Sequence, residues 1–280
     1  GQCLSLWDFE DVGDNFSKAK IDGIAPIIAI PTTSGTGSEV GRASVITNSE
    51  THAKKIIFHP LMLPSLVILD PNLTYGLPKH ITAWTGMDAL VHAIEAYCAP
   101  GFHPMADGIA LEAIALIKNN LVKAYENGQD ESARANMLVA AMMGATAFQK
   151  GLGSVHSIAH QLGGLFNTPH GLANSIILPY ALRQNKSAIE IKMKKLCLFL
   201  DISNPSLESF IEYIISLQKT LEIPASLKEA KIQNDRAEEI GKLAYLDPST
   251  GTNARKLEIE DLTVLFKASH SGDFDLLKDY

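Results

Sequence analysis

A chain of 280 residues with 46% hydrophobic content is long enough for one large domain or two modest ones around a real core. Its formal net charge of -7 and the lack of any Lys/Arg-rich block argue against nucleic acid or an anionic membrane surface as a main partner, leaving small molecules. Cys3, Cys98 and Cys197 are scattered and match no paired metal or redox spacing, so a disulfide framework is not expected and a reducing cytoplasm is. The weakly polar stretches, such as 138–148, fall short of the roughly 18–20 residues that a membrane helix needs. The first residue is Gly1, with no basic region and apolar run of a secretion signal behind it, which points to a processed, tagged or cut N-terminus.

In chain order, the run APIIAI at 25–30 is short, β-branched and free of charge, as in a strand buried on both faces of a parallel sheet. Residues 43–47 and 55–58 flank the polar turn NSETHA and read as a hairpin, and 66–69 is a further short apolar run ending at Asp70-Pro71. After Pro78 the spacing changes to i, i+3, i+4, i+7, which predicts an all-helical remainder. Ile109, Ala113, Leu116, Ile117 and Leu121 form one helical stripe; Leu207, Phe210, Ile211, Ile214 and Leu221 form another, with Asn204 placed to cap it and Pro205 at its first turn. The expected architecture is an α/β portion over residues 1–75, a partial Rossmann-like sheet, followed by an all-helical metal-binding domain over 76–280.

Chemistry concentrates in three segments. In GMDALVHAIEAY, Asp88 and His92 are four apart, so on a helix their side chains share a face. In GLGSVHSIAHQLGGLFNTPHG, His156 and His160 repeat that spacing, and His170 follows Pro169, where a helix ends. A lone histidine on an apolar face is more often a satisfied core residue than a ligand, and Asp88 alone reads equally well as a cap or ion-pair partner. The combination tips the balance, because burying an aspartate and several imidazoles together costs several kcal/mol unless a cation satisfies them. One carboxylate oxygen with three imidazole nitrogens makes a four-ligand set suited to Fe(II), Zn(II), Co(II) or Ni(II) rather than Mg or Ca. Ser157 follows His156 where the HExxH metalloprotease pattern needs glutamate, so peptide hydrolysis is disfavoured. The third segment, PTTSGTGSE at 31–39, has the glycines and small hydroxyls that let backbone amides approach a ligand after a parallel strand, although a plain turn with local Ser and Thr caps fits the same residues.

In this order and spacing the three segments resemble the iron-containing, group III alcohol dehydrogenases, and the resemblance runs from about Gly23 to Gly272, through the DPNLT and NARKLEIEDL stretches. It implies a dehydroquinate synthase-like fold and an NAD- or NADP-linked oxidoreductase acting on small primary alcohols or aldehydes. It also implies Fe2+ or Zn2+ held by Asp88, His92, His156 and His170, a catalytic His160 near the nicotinamide, and a homodimer or larger assembly. Thr32 and Thr33 match cofactor-lining residues, with Gly35, Thr36, Ser38, Lys55 and Leu73 as further candidates. Phe148, Phe166 and His103 are candidates for the pocket wall. Family members open with a longer nucleotide-binding part carrying a GGGSxxD segment that this sequence does not contain. Either a cut chain or a shortened gene with an incomplete NAD(P) site would explain that. Glycerol dehydrogenase-like and dehydroquinate synthase-like enzymes share the fold and the donor types, and an inactive metal-binding remnant is the reading from another class.

Overall fold

A computed structural model of the chain describes residues 2–50 and 54–277. Among the described residues, those before 76 hold four short strands joined by 3-10 turns, and from Lys79 onward the chain is helical. The strands form two separate pairs. Strand β1, Ile28–Ala29, lies parallel to β4, Leu66–Val67, with Ile28 opposite Leu66. Strands β2, Ala43–Thr47, and β3, Lys54–Phe58, form an antiparallel hairpin with Ala43 opposite Phe58. The parallel pairing and the hairpin are as the sequence predicts, and the NSETHA turn runs past residue 50 outside the described residues. The expectation of a strand buried on both faces is not met: Ile28 is 61% and Ile30 47% exposed, and Leu66 and Ile68 are also exposed. With one hydrogen-bonded neighbour among the described residues, β-branched residues form the strand without reaching a core.

Helix α1, Lys79–Cys98, is the axis of the helical part. It is buried almost continuously from Thr82 to Tyr97, because α2 (Pro104–Glu126), α3 (Glu131–Ala147) and α5 (His170–Gln184) all pack on it. A helix enclosed on all sides needs apolar or small residues all round, and the Ala, Met, Leu, Val and Ile of its sequence supply them. Leu90, Ile94, Ile114, Ile117, Leu121 and Met137 are fully buried at these contacts. Each such side chain contributes about 1.5–3 kcal/mol of transfer free energy. Helix α4, Ser154–Phe166, packs on α5 and on α8, Ala237–Leu246, and α9, Ile259–Ser271, closes that side.

Both apolar stripes read from the sequence lie where predicted. Ala113, Ile117 and Leu121 are buried on α2, and Leu207, Phe210, Ile211 and Ile214 are buried on α7, Leu207–Thr220. The start of α7 differs from the prediction. Ser206 is its cap, accepting the Ser209 N–H at 3.0 Å, whereas Asn204 adopts a left-handed φ of 52° and Pro205 precedes the helix. A serine hydroxyl in extended backbone reaches the N–H of the third helical residue more readily than an Asn two residues upstream. His103 is likewise occupied locally. Its Nδ1 accepts the Ala106 N–H at 3.1 Å and caps α2.

Candidate metal centre

Asp88 and His92 stand in the most enclosed stretch of α1, one turn apart. His156 comes from the first turn of α4, and His170 is the first residue of α5. What lets α5 begin so close to α1 is Gly171: a Cβ there would sit 2.3 Å from the Trp84 carbonyl oxygen. With hydrogen in place of a side chain, the two backbones touch and His170 is delivered to Asp88.

The four residues converge. One ligand-type atom from each lies within 4.8 Å of the others. Asp88 Oδ1 is 3.5 Å from His170 Nε2, 3.9 Å from His156 Nε2 and 4.0 Å from His92 Nε2. The rings of His92 and His156 stack at 4.7 Å, and Phe148 covers His92 at 4.9 Å. Asn174, one turn after His170, donates from Nδ2 to Asp88 Oδ1 at 2.7 Å, while its buried Oδ1 has no hydrogen-bond partner among the described residues.

These electrostatics favour an ionised Asp88 beside a neutral His156. Burial works against ionisation of Asp88, but His92, His170 and His156 together with the Asn174 bond outweigh it and hold the carboxyl below its ordinary value. Burial, reinforced by His92 and His170, pushes His156 well below the usual imidazole range. Burial likewise lifts Glu95, on α1, to about 7, while the Val155 N–H and the neighbouring His92 work in favour of its ionised form. Neutral imidazole and ionised carboxylate are the forms that ligate a cation. Separations of 3.5–4.0 Å around Asp88 Oδ1 suit four donors each about 2.0–2.2 Å from a shared ion. The donor set therefore fits a borderline divalent cation such as iron(II) or zinc(II).

His160 lies beside this group, outside it. Its ring stacks on His170 at 5.3 Å, and its Nδ1 is 2.9 Å from Asp247 Oδ2, just after α8. Glu95, Asn174 and Asp247 were not singled out from the sequence. Glu95 had a readable signal, since it follows His92 by three and Asp88 by seven on the same helical stripe, and Asn174 follows His170 by four. Asp247 had none, because its partner is 87 positions away.

The 31–39 loop lies against the helices that carry the ligand-type residues. A Cβ on Gly35 would sit 2.8 Å from Thr85 Cβ on α1, and one on Gly37 2.3 Å from Ala145 Cβ on α3, where Gly37 also has a φ of +59°. Thr32, Thr36 and Ser38 are exposed and Thr33 half-exposed, while Gly35 is buried under the loop. Thr36, Ser38, Arg42, Phe148 and Gln149 line a cleft of about 260 Å3, and Phe148 connects it to His92. Lys55 engages Glu10 at 2.7 Å, and Leu73 is exposed on the 3-10 turn Pro71–Thr74. Phe166 closes α4 half-buried against the core.

Comparison with known proteins bears on this arrangement. Residues 2–71 match a family model described as iron-containing alcohol dehydrogenase, and residues 82–270 match one described as the C-terminal part of the Fe-containing alcohol dehydrogenase family. Alcohol dehydrogenase 4 of Saccharomyces cerevisiae is 35% identical over 268 residues, covering 95% of this chain and 69% of that enzyme. The 1,3-propanediol dehydrogenase of Citrobacter freundii is 37% identical over 266 residues, covering 91% and 69%. The sulfoacetaldehyde reductase of Bifidobacterium kashiwanohense, solved in complex with NAD+, superposes with a TM-score of 0.86 at 30% identity, covering 96% and 70%. This chain thus spans somewhat more than two thirds of each of these relatives.

A helical part holding a carboxylate-histidine cluster beside a glycine-rich loop, with relatives of this kind, defines the class of metal-dependent alcohol dehydrogenases and aldehyde reductases. The chain belongs to the iron-containing alcohol dehydrogenase family.

Proposed function

We propose that Asp88, His92, His156 and His170 hold one iron(II) or zinc(II) ion, and that the chain carries the catalytic centre of an NAD- or NADP-linked alcohol dehydrogenase acting on small primary alcohols or aldehydes. The observation that supports this best is the convergence of those four side chains within 4.8 Å in a setting that keeps Asp88 ionised and His156 neutral. In this reading residues 76–280 form the catalytic domain and residues 1–75 the remainder of the dinucleotide-binding domain. Thr32, Thr33, Gly35, Thr36 and Ser38 line the nicotinamide cofactor. Lys55, paired with Glu10, and Leu73, exposed, take peripheral places around it.

A bound cation supplies Lewis-acid polarisation of the alcohol or aldehyde oxygen, and the nicotinamide supplies the hydride acceptor or donor. The protein provides placement and proton handling. His160, oriented through Nδ1 by Asp247, presents Nε2 beside His170 and is the proton carrier. Phe148 screens His92 from water on the cleft side. Exposed apolar residues Ile28, Ile30, Leu66 and Ile68 favour association into a homodimer or larger assembly. Three unpaired cysteines fit a reducing cytoplasm, and no helix among the described residues is long and apolar enough to cross a membrane.

Elemental analysis of anaerobically purified protein tests the centre. We expect near one equivalent of iron or zinc in the wild type and none in an Asp88→Ala, His156→Ala double variant; wild-type protein that stays metal-free after loading overturns the reading. Titration with NADH and NADPH separates an enzyme from a metal-binding remnant, which would take up metal and neither nucleotide.

A further inference from the structure

Glu95 is a buried carboxylate outside the proposed ligand set, and its two oxygens have different partners. One oxygen, Oε1, accepts the Val155 N–H at 2.8 Å. The other, Oε2, lies 2.6 Å from His156 Nδ1. Helix α4 has no side-chain cap of its own, and its first amides are met from outside, Val155 by Glu95 and Ser154 by Asn253 Oδ1 at 3.1 Å. Capping needs a single acceptor oxygen. The second oxygen, at the short distance of a charge-assisted bond, is what a cap leaves unexplained.

The hydrogen bonds around His156 favour one direction for that bond. A neutral imidazole has one N–H and one bare nitrogen. Asn174 must turn its amide N–H groups towards this cluster, because its oxygen would be repelled by Asp88 Oδ1 at 2.7 Å. That amide also lies 3.0 Å from His170 Nε2 and 3.3 Å from His156 Nε2, so with one N–H given to Asp88 the other faces both ring nitrogens, an arrangement in which His156 Nε2 accepts and its proton sits on Nδ1, towards Glu95. Room for the arrangement comes from Gly153, where any Cβ would land 2.9 Å from Glu95 Oε1 and 2.7 Å from Asn253 Oδ1.

We propose that Glu95 is a positioning residue for the metal centre: its carboxylate locks His156 in the Nδ1–H tautomer and aims the bare Nε2 lone pair at the position shared with Asp88, His92 and His170. This rests on the metal-binding reading above. Aspartate and glutamate on one helix then serve two levels of the same centre, Asp88 as ligand and Glu95 as the support of a ligand contributed by another helix.

The test uses the whole chain and zinc. Glu95→Gln keeps an oxygen for the Val155 N–H but offers His156 an N–H in place of an acceptor, which drives the ring to the wrong tautomer. Zinc affinity, read by competition with a chromophoric chelator, should fall by about 10- to 100-fold, with the metal-free melting temperature near that of wild type. Zinc binding within twofold of wild type would reduce Glu95 to a helix cap and overturn the proposal. Should the variant fail to fold, 15N shifts of the His156 ring in the metal-free wild type decide: a protonated Nδ1 with bare Nε2 supports the proposal, and the reverse overturns it. Wild type that takes up no zinc in the same titration fails the metal reading itself, an outcome distinct from an unaffected Glu95→Gln.

Discussion

His156 and His160 stand one turn apart on α4, yet their Nδ1 atoms meet different carboxylates, Glu95 for the first and Asp247 for the second. Burial separates them further: the His156 side chain is 1% exposed and that of His160 41%. An enclosed imidazole with a fixed tautomer suits ligation, and an accessible one suits proton transfer. His160→Ala should therefore retain its metal and lose about 10²- to 10⁴-fold in kcat, the usual span for a general acid-base group. Parallel metal analysis and steady-state rates check this, and full activity would remove His160 from the mechanism. At this scale the sequence was informative where spacing is local. The i, i+4 pairs Asp88/His92 and His156/His160 were visible as pairs because helical geometry alone stacks them. Asp247 and the pairing of Glu95 with α4 were hidden, because those partners are brought together by the packing of helices far apart in the chain.

Elements meet here through small residues. The turn at Pro169 marks the end of one helix, but nothing in the local sequence says that the next would begin against the backbone of α1. Gly171 makes that possible, and a methyl group there would be 2.3 Å from the Trp84 oxygen and 2.7 Å from its carbon. Backbone atoms in the middle of a packed helix cannot step aside as a side-chain end can, so the start of α5 must move. Gly171→Ala is expected to cost about 1–3 kcal/mol in urea unfolding, the usual range for overpacking. It should also weaken zinc binding by displacing His170; unchanged zinc affinity would show that α5 accommodates the methyl without moving its first residue. The helix-period stripes on α2 and α7 were legible because amphipathic faces report directly on burial. Strand burial at 25–30 is not legible for the opposite reason: an all-apolar run records β propensity, and burial depends on neighbours that a local pattern does not reveal.

Across the whole molecule, the proposed centre joins α1, α4 and α5; α5 packs on both of the others, and Glu95 links α1 to α4. A ligand that binds the folded state alone stabilises it by mass action. Zinc at a thousandfold excess over its dissociation constant should contribute about 4 kcal/mol. We expect a melting temperature higher by several degrees with zinc than with chelator, and the Asp88→Ala, His156→Ala variant should show no such difference. A shift of equal size in that variant would place the stabilising ion elsewhere.

The enclosure of α1 also bears on the rate at which a cation is exchanged. His92 and His156 are sealed, with side-chain exposures of 7% and 1%, whereas His170 is 34% exposed at the start of α5 next to His160. Helices buried on every side open rarely, often at close to the cost of global unfolding. Among the four donors His170 is the most accessible, so an ion meets it first and the sealed His92 and His156 afterwards. Loading and loss become sequential, with the outer histidine setting the rate and the inner donors the lifetime of the occupied state.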